Sequence, residues 1–264
     1  MEVYIFVLII LAFSILVGST LGFGDSLIFI PLAVFFIDIH IAIVLMGFWT
    51  TILSAFNTIK YRRYYDKELL KKYLAPGIIG VIIGSFLLII APIHLIEFSL
   101  GIFIVLFVID KFSKIKKENN KITADPDPSF QPQLKEIPNF ILYPGAFSYG
   151  FVGGLIGTPG PINVAILERR GHERESFIGN FSIISIIITS LRLVIYVYND
   201  LFPIEFITIF IIGIIITYGV TKCGHWLTPK IPKKQFKILV LLLLAIIGLR
   251  LIINSLLFFF NFNF

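Results

Sequence analysis

Gly18-Ser19-Thr20-Leu21-Gly22-Phe23-Gly24-Asp25-Ser26, closed by Pro31, interrupts an apolar run that otherwise extends from Tyr4 to Ile37. Glycine is the poorest ordinary helix former, and three of them beside a carboxylate break a helix here. A broken backbone in a bilayer is tolerated only where protein or a water-filled cavity surrounds it. The same pattern returns as Gly153-Gly154-Leu155-Ile156-Gly157-Thr158-Pro159-Gly160-Pro161, inside the apolar run from Phe140 to Leu167. Gly18 and Gly22 have the spacing of Gly153 and Gly157. Paired interruptions in two halves of a chain point to the binding site of a transporter, whereas simple close packing of helices asks for no such pairing.

The 264 residues around these breaks are 57% hydrophobic and 14% charged, with a mean hydropathy of +0.95. That composition excludes a soluble domain and fits an all-α polytopic protein of the cell membrane. Its partners are then the lipid bilayer and whatever crosses it. The formal charge of +6 does not indicate nucleic acid, because the basic residues lie between apolar segments and set orientation. A single cysteine, Cys223, excludes an internal disulfide and a cysteine metal cluster. His40, His94, His172 and His225 fall at expected membrane edges and suit interfaces better than a metal. No cofactor is expected, and the first apolar segment lacks the basic start of a cleavable signal.

Apolar segments run over 4–22, 24–37, 41–59, 73–91, 94–110, 140–157, 160–168, 176–198, 203–222 and 237–260. Segments 24–37 and 160–168 are too short to span comfortably. Twenty of the 22 Lys and Arg residues form four clusters, at 60–72, 111–135, 169–174 and 222–237. The connections near Asp38, Pro92 and Asp200 carry none. If each broken segment crossed once, the third and fourth clusters would fall outside. If each is a re-entrant hairpin, all four are cytoplasmic, as the positive-inside rule asks. The second arrangement is the one expected. It gives two inverted repeats, each a broken re-entrant hairpin plus three transmembrane helices, over residues 1–110 and 139–264. A cytoplasmic polar linker joins them over 111–138, and both termini lie outside. An offset of 135 residues supports the repeat. It aligns Gly22 with Gly157, Thr50 with Ser185, Ser54 with Thr189, Asn57 with Arg192, Tyr61 with Tyr196 and Gly84 with Gly219. Thr50, Ser54, Asn57 and Tyr61 share one helix face, and Ser185, Thr189, Arg192 and Tyr196 make the matching stripe.

Second arms starting near Asp25 and Gly160 direct helix N-termini at the membrane centre from opposite sides. Such termini carry partial positive charge and free N–H groups, and two of them facing each other suit a small anion. The backbone at Gly22, Gly24, Gly157 and Gly160 leaves room for it. Ser19, Thr20, Ser26, Thr158 and Asn163 are candidate neutral donors, and Thr50, Ser54, Asn57, Ser185, Thr189 and Arg192 line the approach. For any one hydroxyl, a bond to its own helix is the competing role. Asp25, Arg192 and Arg250 are the charges within or beside the apolar body. Asp25 has two readings: a coupling group for a proton or cation, or a helix N-cap. Arg192 either pairs with a substrate anion or snorkels, and Arg250 is expected to pair with Glu97 or Asp110. Gly24-Asp25-Ser26-Leu27 spells the motif of a serine-hydrolase family. No later Asp-x-x-His follows it, and no G-x-S-x-G, H-E-x-x-H or P-loop occurs, so an enzyme is not expected.

The glycine break early in each half, Pro31 after the first, the basic loop after the next helix and the polar linker together resemble the TauE/SafE family. The resemblance covers nearly the whole chain. It implies a permease or exporter of a small anion, linked to sulfite, sulfoacetate and related organosulfur compounds, with proton coupling as an option. Asp25-Ser26 and Pro159-Gly160-Pro161 depart from the more glycine-rich family pattern, which bears on substrate rather than fold. With no ATP-binding motif, a gradient or a partner drives transport. The expected function is therefore secondary transport of a sulfite-like or sulfonate-like anion. A permease for another small carboxylate or inorganic anion, and a membrane scaffold that transports nothing, are the alternatives. A scaffold needs neither paired breaks nor matched stripes.

Overall fold

The computed structural model describes residues 2–21, 24–119, 134–172, 174–202, 204–227 and 233–261. They form ten α-helices: α1 Glu2–Leu21, α2 Asp25–Ala33, α3 Ile39–Tyr61, α4 Lys67–Ile90, α5 Ile93–Asn119, α6 Asn139–Ile156, α7 Gly160–Arg170, α8 Arg174–Tyr198, α9 Ile207–Leu227 and α10 Lys233–Asn261. The order long, short, long, long, long occurs twice. Leu21 and Ile156, Asp25 and Gly160, and Ile39 and Arg174 are each 135 residues apart, so both breaks fall in the same register. Among the described residues, six helical stretches are long and apolar enough to cross a membrane: Ile39–Tyr64, Lys67–Ile90, Ile93–Ser113, Glu175–Tyr198, Ile204–Cys223 and Val240–Phe259. The chain is a multi-pass membrane protein. Gly22 and residues 120–133 of the linker lie outside the described residues.

Both short helices fold back on the long helix before them. Phe6 of α1 stacks on Phe36 beyond α2, with ring centroids 5.1 Å apart. At the second break the ends of the hairpin meet directly, the Lys135 N–H donating to the Arg170 carbonyl at 2.8 Å. Helix starts and stops follow local chemistry. Asp38 caps α3 by accepting from His40 N–H, and Asp66 caps α4 by accepting from Leu69 N–H. Gly171, left-handed at φ 91°, ends α7.

The loops without basic residues gather at one end of the bundle. There His40 Nε2 meets the Leu88 carbonyl at 3.2 Å, Tyr4 packs edge-on to Phe206, and His94 stacks on Phe258. Arg250 lies at this end too, 3.6 Å above the Phe35 ring. It makes no ion pair with Glu97 or Asp110. Its charge is met by the ring face, while Glu97 contacts His94 at 3.4 Å.

At the opposite, basic end a buried polar network ties the α6–α7 hairpin to the α3–α4 connection. Arg170 Nε donates to Asp66 Oδ2 at 2.8 Å, Nη1 to the Lys135 carbonyl at 3.0 Å, and Nη2 to Glu68 at 3.3 Å. Asn180 Oδ1 accepts from Asp66 N–H at 2.8 Å. Burial alone would raise the Asp66 carboxyl. The hydrogen bonds from Arg170 and Leu69 N–H and the Arg170 charge outweigh it and hold Asp66 below the ordinary carboxylate range. Burial pushes His172 down, Arg170 adds to that, and Asp66 opposes it.

Each of these two groups is depressed in the folded state. The Asp66 contribution is therefore present above the ordinary carboxylate range and lost as pH falls through its lowered value. His172 resists the proton that the unfolded chain would take up, so acid weakens the same region. Asp66→Asn leaves the Arg170 cation buried without its main counter-ion. It should cost about 3–5 kcal/mol at neutral pH and flatten the acid limb of stability, as read by thermal unfolding in detergent across pH.

The closest helix contact is α4 on α6, and glycine sets it. A Cβ at Gly150 would stand 1.9 Å from the Gly77 carbonyl oxygen, and one at Gly80 2.2 Å from that of Phe147. The backbones touch, as small-residue interfaces allow where burial from water does not drive packing. On α9, Gly219 faces open space. Gly150→Ala should therefore force α4 and α6 apart and cost upwards of about 3 kcal/mol, while Gly219→Ala should leave the melting temperature unchanged or higher.

Candidate functional site

The two breaks meet in the middle of the bundle. Gly157 ends α6 in the left-handed region at φ 74°, and a Cβ there would stand 2.8 Å from Ile30 of α2, 3.2 Å from Ile43 of α3 and 3.6 Å from Arg192 Nη1 of α8. Breaking α6 orphans its last carbonyls, and α8 supplies their donors. Arg192 Nη1 donates to the Gly153 carbonyl at 2.6 Å, and the Tyr196 hydroxyl donates to that of Gly154. The guanidinium thus closes the negative end of α6.

That duty uses one of five N–H donors. Arg192 is 2% exposed, its Nε has no partner, and it makes no ion pair with a described carboxylate. Two further polar groups at the α6–α7 break are equally unmet. Thr158 and Asn163 are both fully buried, and the Thr158 hydroxyl and both amide atoms of Asn163 lack a hydrogen bond. Tyr149 of α6 stands beside Ser185 and Asn163 and within electrostatic reach of Arg192 and Asp25. Buried polar groups are normally satisfied, so a cation and two neutral groups without partners among the described residues mark this break as a candidate site.

The first break carries the opposite charge. The N-cap of α2 is Gly24, at φ 98°, and Asp25 is the first helical residue. Asp25 is therefore not itself the N-cap. Its carboxylate accepts from Thr50 Oγ1 at 3.3 Å and lies against the Ser26 N–H. A cavity of about 60 Å³ opens beside it, between α3 and α8. That is room for a few waters or one small oxyanion.

Of the expected residues, Ser19, Asp25, Thr50, Ser54 and Asn57 border this cavity. Arg192, Gly157, Thr158, Asn163, Ser185 and Thr189 belong to the deeper second break. Ser26 is buried in the first turn of α2, Gly160 begins α7, and the Thr20 side chain lies outside the described set. Ser19 and Thr189 donate to their own helices, to Leu16 and Ser185, as the competing role anticipates. Thr51 joins the two stripes, donating to Thr189 Oγ1 at 2.8 Å. Sequence reasoning missed Thr51, Tyr149, Ser182 and Thr221. Ser182 was within reach, since it lies three residues before Ser185 on the same helical face.

Six described helices long and apolar enough to cross a membrane, with two broken helices between them, define a multi-pass membrane protein. The profile of the sulfite exporter TauE/SafE family matches residues 6–251, and the chain belongs to that family. Membership implies a membrane transporter of the anion and sulfite class. No curated protein and no solved structure matches the chain.

Gly157→Ala places a Cβ where φ is positive and where Ile30, Ile43 and Arg192 close in. It should reduce transport at least about tenfold while the protein remains inserted, as read by vesicle flux against membrane abundance.

Proposed function

We propose that this protein moves a sulfite-like or organosulfonate-like anion through a site between its two broken helices. The halves act as inverted repeats, each a re-entrant hairpin followed by three spans. The observation that carries the reading is Arg192, a buried guanidinium with one hydrogen bond and no counter-ion among the described residues. An anion at Arg192 Nε, with the Thr158 hydroxyl and the Asn163 amide, meets every group left open there. Two matters of arrangement add support. The basic clusters described at 60–72 and 169–174 adjoin one end of the bundle and the loops at Asp38, Pro92 and Asp200 the other, as an inside-positive protein requires. The second hairpin also enters and leaves at the same end, through Lys135 and Arg170. Asp25 faces the approach from the first half. Its ionised form repels an anion, so a proton on Asp25 and an anion at Arg192 favour each other.

Sulfite should raise the thermal stability of purified protein. Arg192→Gln should weaken that binding by about 1–3 kcal/mol, roughly 5- to 150-fold. Asp25→Asn should still bind, because losing a negative charge cannot weaken attraction for an anion. If Asp25 carries the coupling proton, the variant loses the pH dependence of transport. If Asp25 serves only the first turn of α2, that dependence survives. Unchanged sulfite affinity in Arg192→Gln would remove the site from this place.

A further inference from the structure

The cavity beside Asp25 extends in one direction along the bundle. It follows α3 from Thr50 past Leu53 to Asn57, toward the basic end, and its far wall is Ile178, Phe181 and Ser182 near the start of α8. The 135-residue offset that superposes both breaks gives each lining residue a counterpart. Thr50, Leu53, Asn57, Ile178 and Phe181 are half-buried. Their counterparts Ser185, Ile188, Arg192, Ile43 and Met46 are none of them more than 2% exposed. One half is open where the other is shut.

The contacts that shut it can be named. Arg192 packs so tightly on α3 that a Cβ at Gly47 would stand 2.7 Å from Nη2. The Tyr196 hydroxyl is bonded to the Gly154 carbonyl. The counterparts of Arg192 and Gly47 are Asn57 and Ser182, which both line the open cavity instead of closing it. The counterparts of Tyr196 and Gly154 are Tyr61 and Ser19. Ser19 also lines the cavity, and the Tyr61 hydroxyl has no hydrogen-bond partner among the described residues.

Resting on the transport reading above, we infer that the structure is the cytoplasm-facing member of a pair of states related by exchange of the two halves. In the other state Asn57 closes on Ser182 and the Tyr61 hydroxyl donates to the Ser19 carbonyl, sealing the present cavity. The Tyr196–Gly154 bond opens at the same time. A second vestibule lined by Ile43, Met46 and Ile188 then exposes Arg192 to the opposite side. Tyr61 and Tyr196 are thus paired latches, neither of which touches the anion.

The test needs no substrate, so its failure is separable from a failure of anion binding at Arg192. In a Cys223→Ser background, Phe181→Cys and its counterpart Met46→Cys are treated with a membrane-impermeant maleimide in vesicles of both orientations. Phe181→Cys should react from the cytoplasmic face. Met46→Cys should react only from the opposite face, and more slowly. Tyr196→Phe removes one hydrogen bond from the closed side. It should raise the Met46→Cys rate about fivefold and lower the Phe181→Cys rate. Tyr61→Phe should do the reverse and slow transport with sulfite affinity unchanged. Leu53→Cys and Ile188→Cys repeat the measurement should a member of the first pair fail to insert. Reaction of Met46→Cys from the cytoplasmic face would overturn the inference. So would its silence from both faces in the Tyr196→Phe background, or rates at the two positions that move together.

Discussion

A buried guanidinium holding one hydrogen bond is the constraint on which the rest of this structure turns. Moving such a charge out of water costs several kcal/mol even after relaxation, and in a protein interior the penalty is recovered only by a partner. Here the permanent partner is partial. Arg192 meets the Gly153 carbonyl at the negative end of α6, which exists only because Gly157 breaks that helix. The break and the cation therefore require each other. A continuous α6 would use the Gly153 carbonyl in its own ladder and leave Arg192 with nothing. A neutral residue at 192 would leave orphaned carbonyls in the membrane centre. What stays unmet afterwards, among the described residues, is the Arg192 Nε.

The surroundings divide into a stiff part and a yielding part. One apolar cluster joins α4, α6 and α7 and includes Ile184 and Ile188 of α8. The other joins α1, α2, α3, α5, α9 and α10 and includes Leu193 and Tyr196 of α8. The polar residues gather where these clusters meet, and α8 belongs to both. Within the first cluster, carbonyls pressed onto glycines fix α4 to α6 at backbone distance. The corresponding pair in the other half, α1 with α9, carries Ile15, Ile212 and Ile215 where α6 and α4 carry Gly150, Gly77 and Gly80. Interfaces of side chains can repack, whereas touching backbones cannot without separating. Movement between the halves is thus expected at the α3–α8 seam, where side chains such as Arg192 fill the interface and Thr51 hydrogen-bonds Thr189 across it.

Much of this was readable from residue types. The breaks at Gly24 and Gly157, the short second arms and the helices that follow were all marked by glycine, proline and segment length. Those are local backbone properties that tertiary context seldom overrides in a membrane. The matched stripes were readable because helical periodicity projects directly onto a face. Partner choice was not. Arg250 was expected to find a carboxylate and instead lies on Phe35, because the α2–α3 turn brings a ring within reach and nothing in the sequence reports that distance. Tyr149 was invisible for a related reason. It sits in a broken helix whose apolar face looks continuous, and only folding α7 back along α6 turns its hydroxyl toward Asn163 and Ser185. The carbonyl partners of Arg192 and Tyr196 could not be seen either, since a backbone acceptor has no letter in the sequence.

The two interior charges set a condition on the cargo that follows from counting alone. With Asp25 ionised, Arg192 and Asp25 sum to zero, and a bound monoanion leaves the site with one unbalanced negative charge in a low-dielectric interior. With Asp25 protonated, the same anion and Arg192 sum to zero. Because the two groups stand within electrostatic reach without forming an ion pair, neither state is locked in by direct contact. Thr50 is placed to serve both, since a hydroxyl donates to a carboxylate and accepts from a carboxylic acid. On the transport reading, the neutral complex is the one that crosses at least electrostatic cost, and it contains a proton. Coupling then needs no dedicated relay. It arises, on that reading, because the carboxylate and the guanidinium stand within electrostatic reach of each other in a low-dielectric interior, where an unbalanced anion is costly.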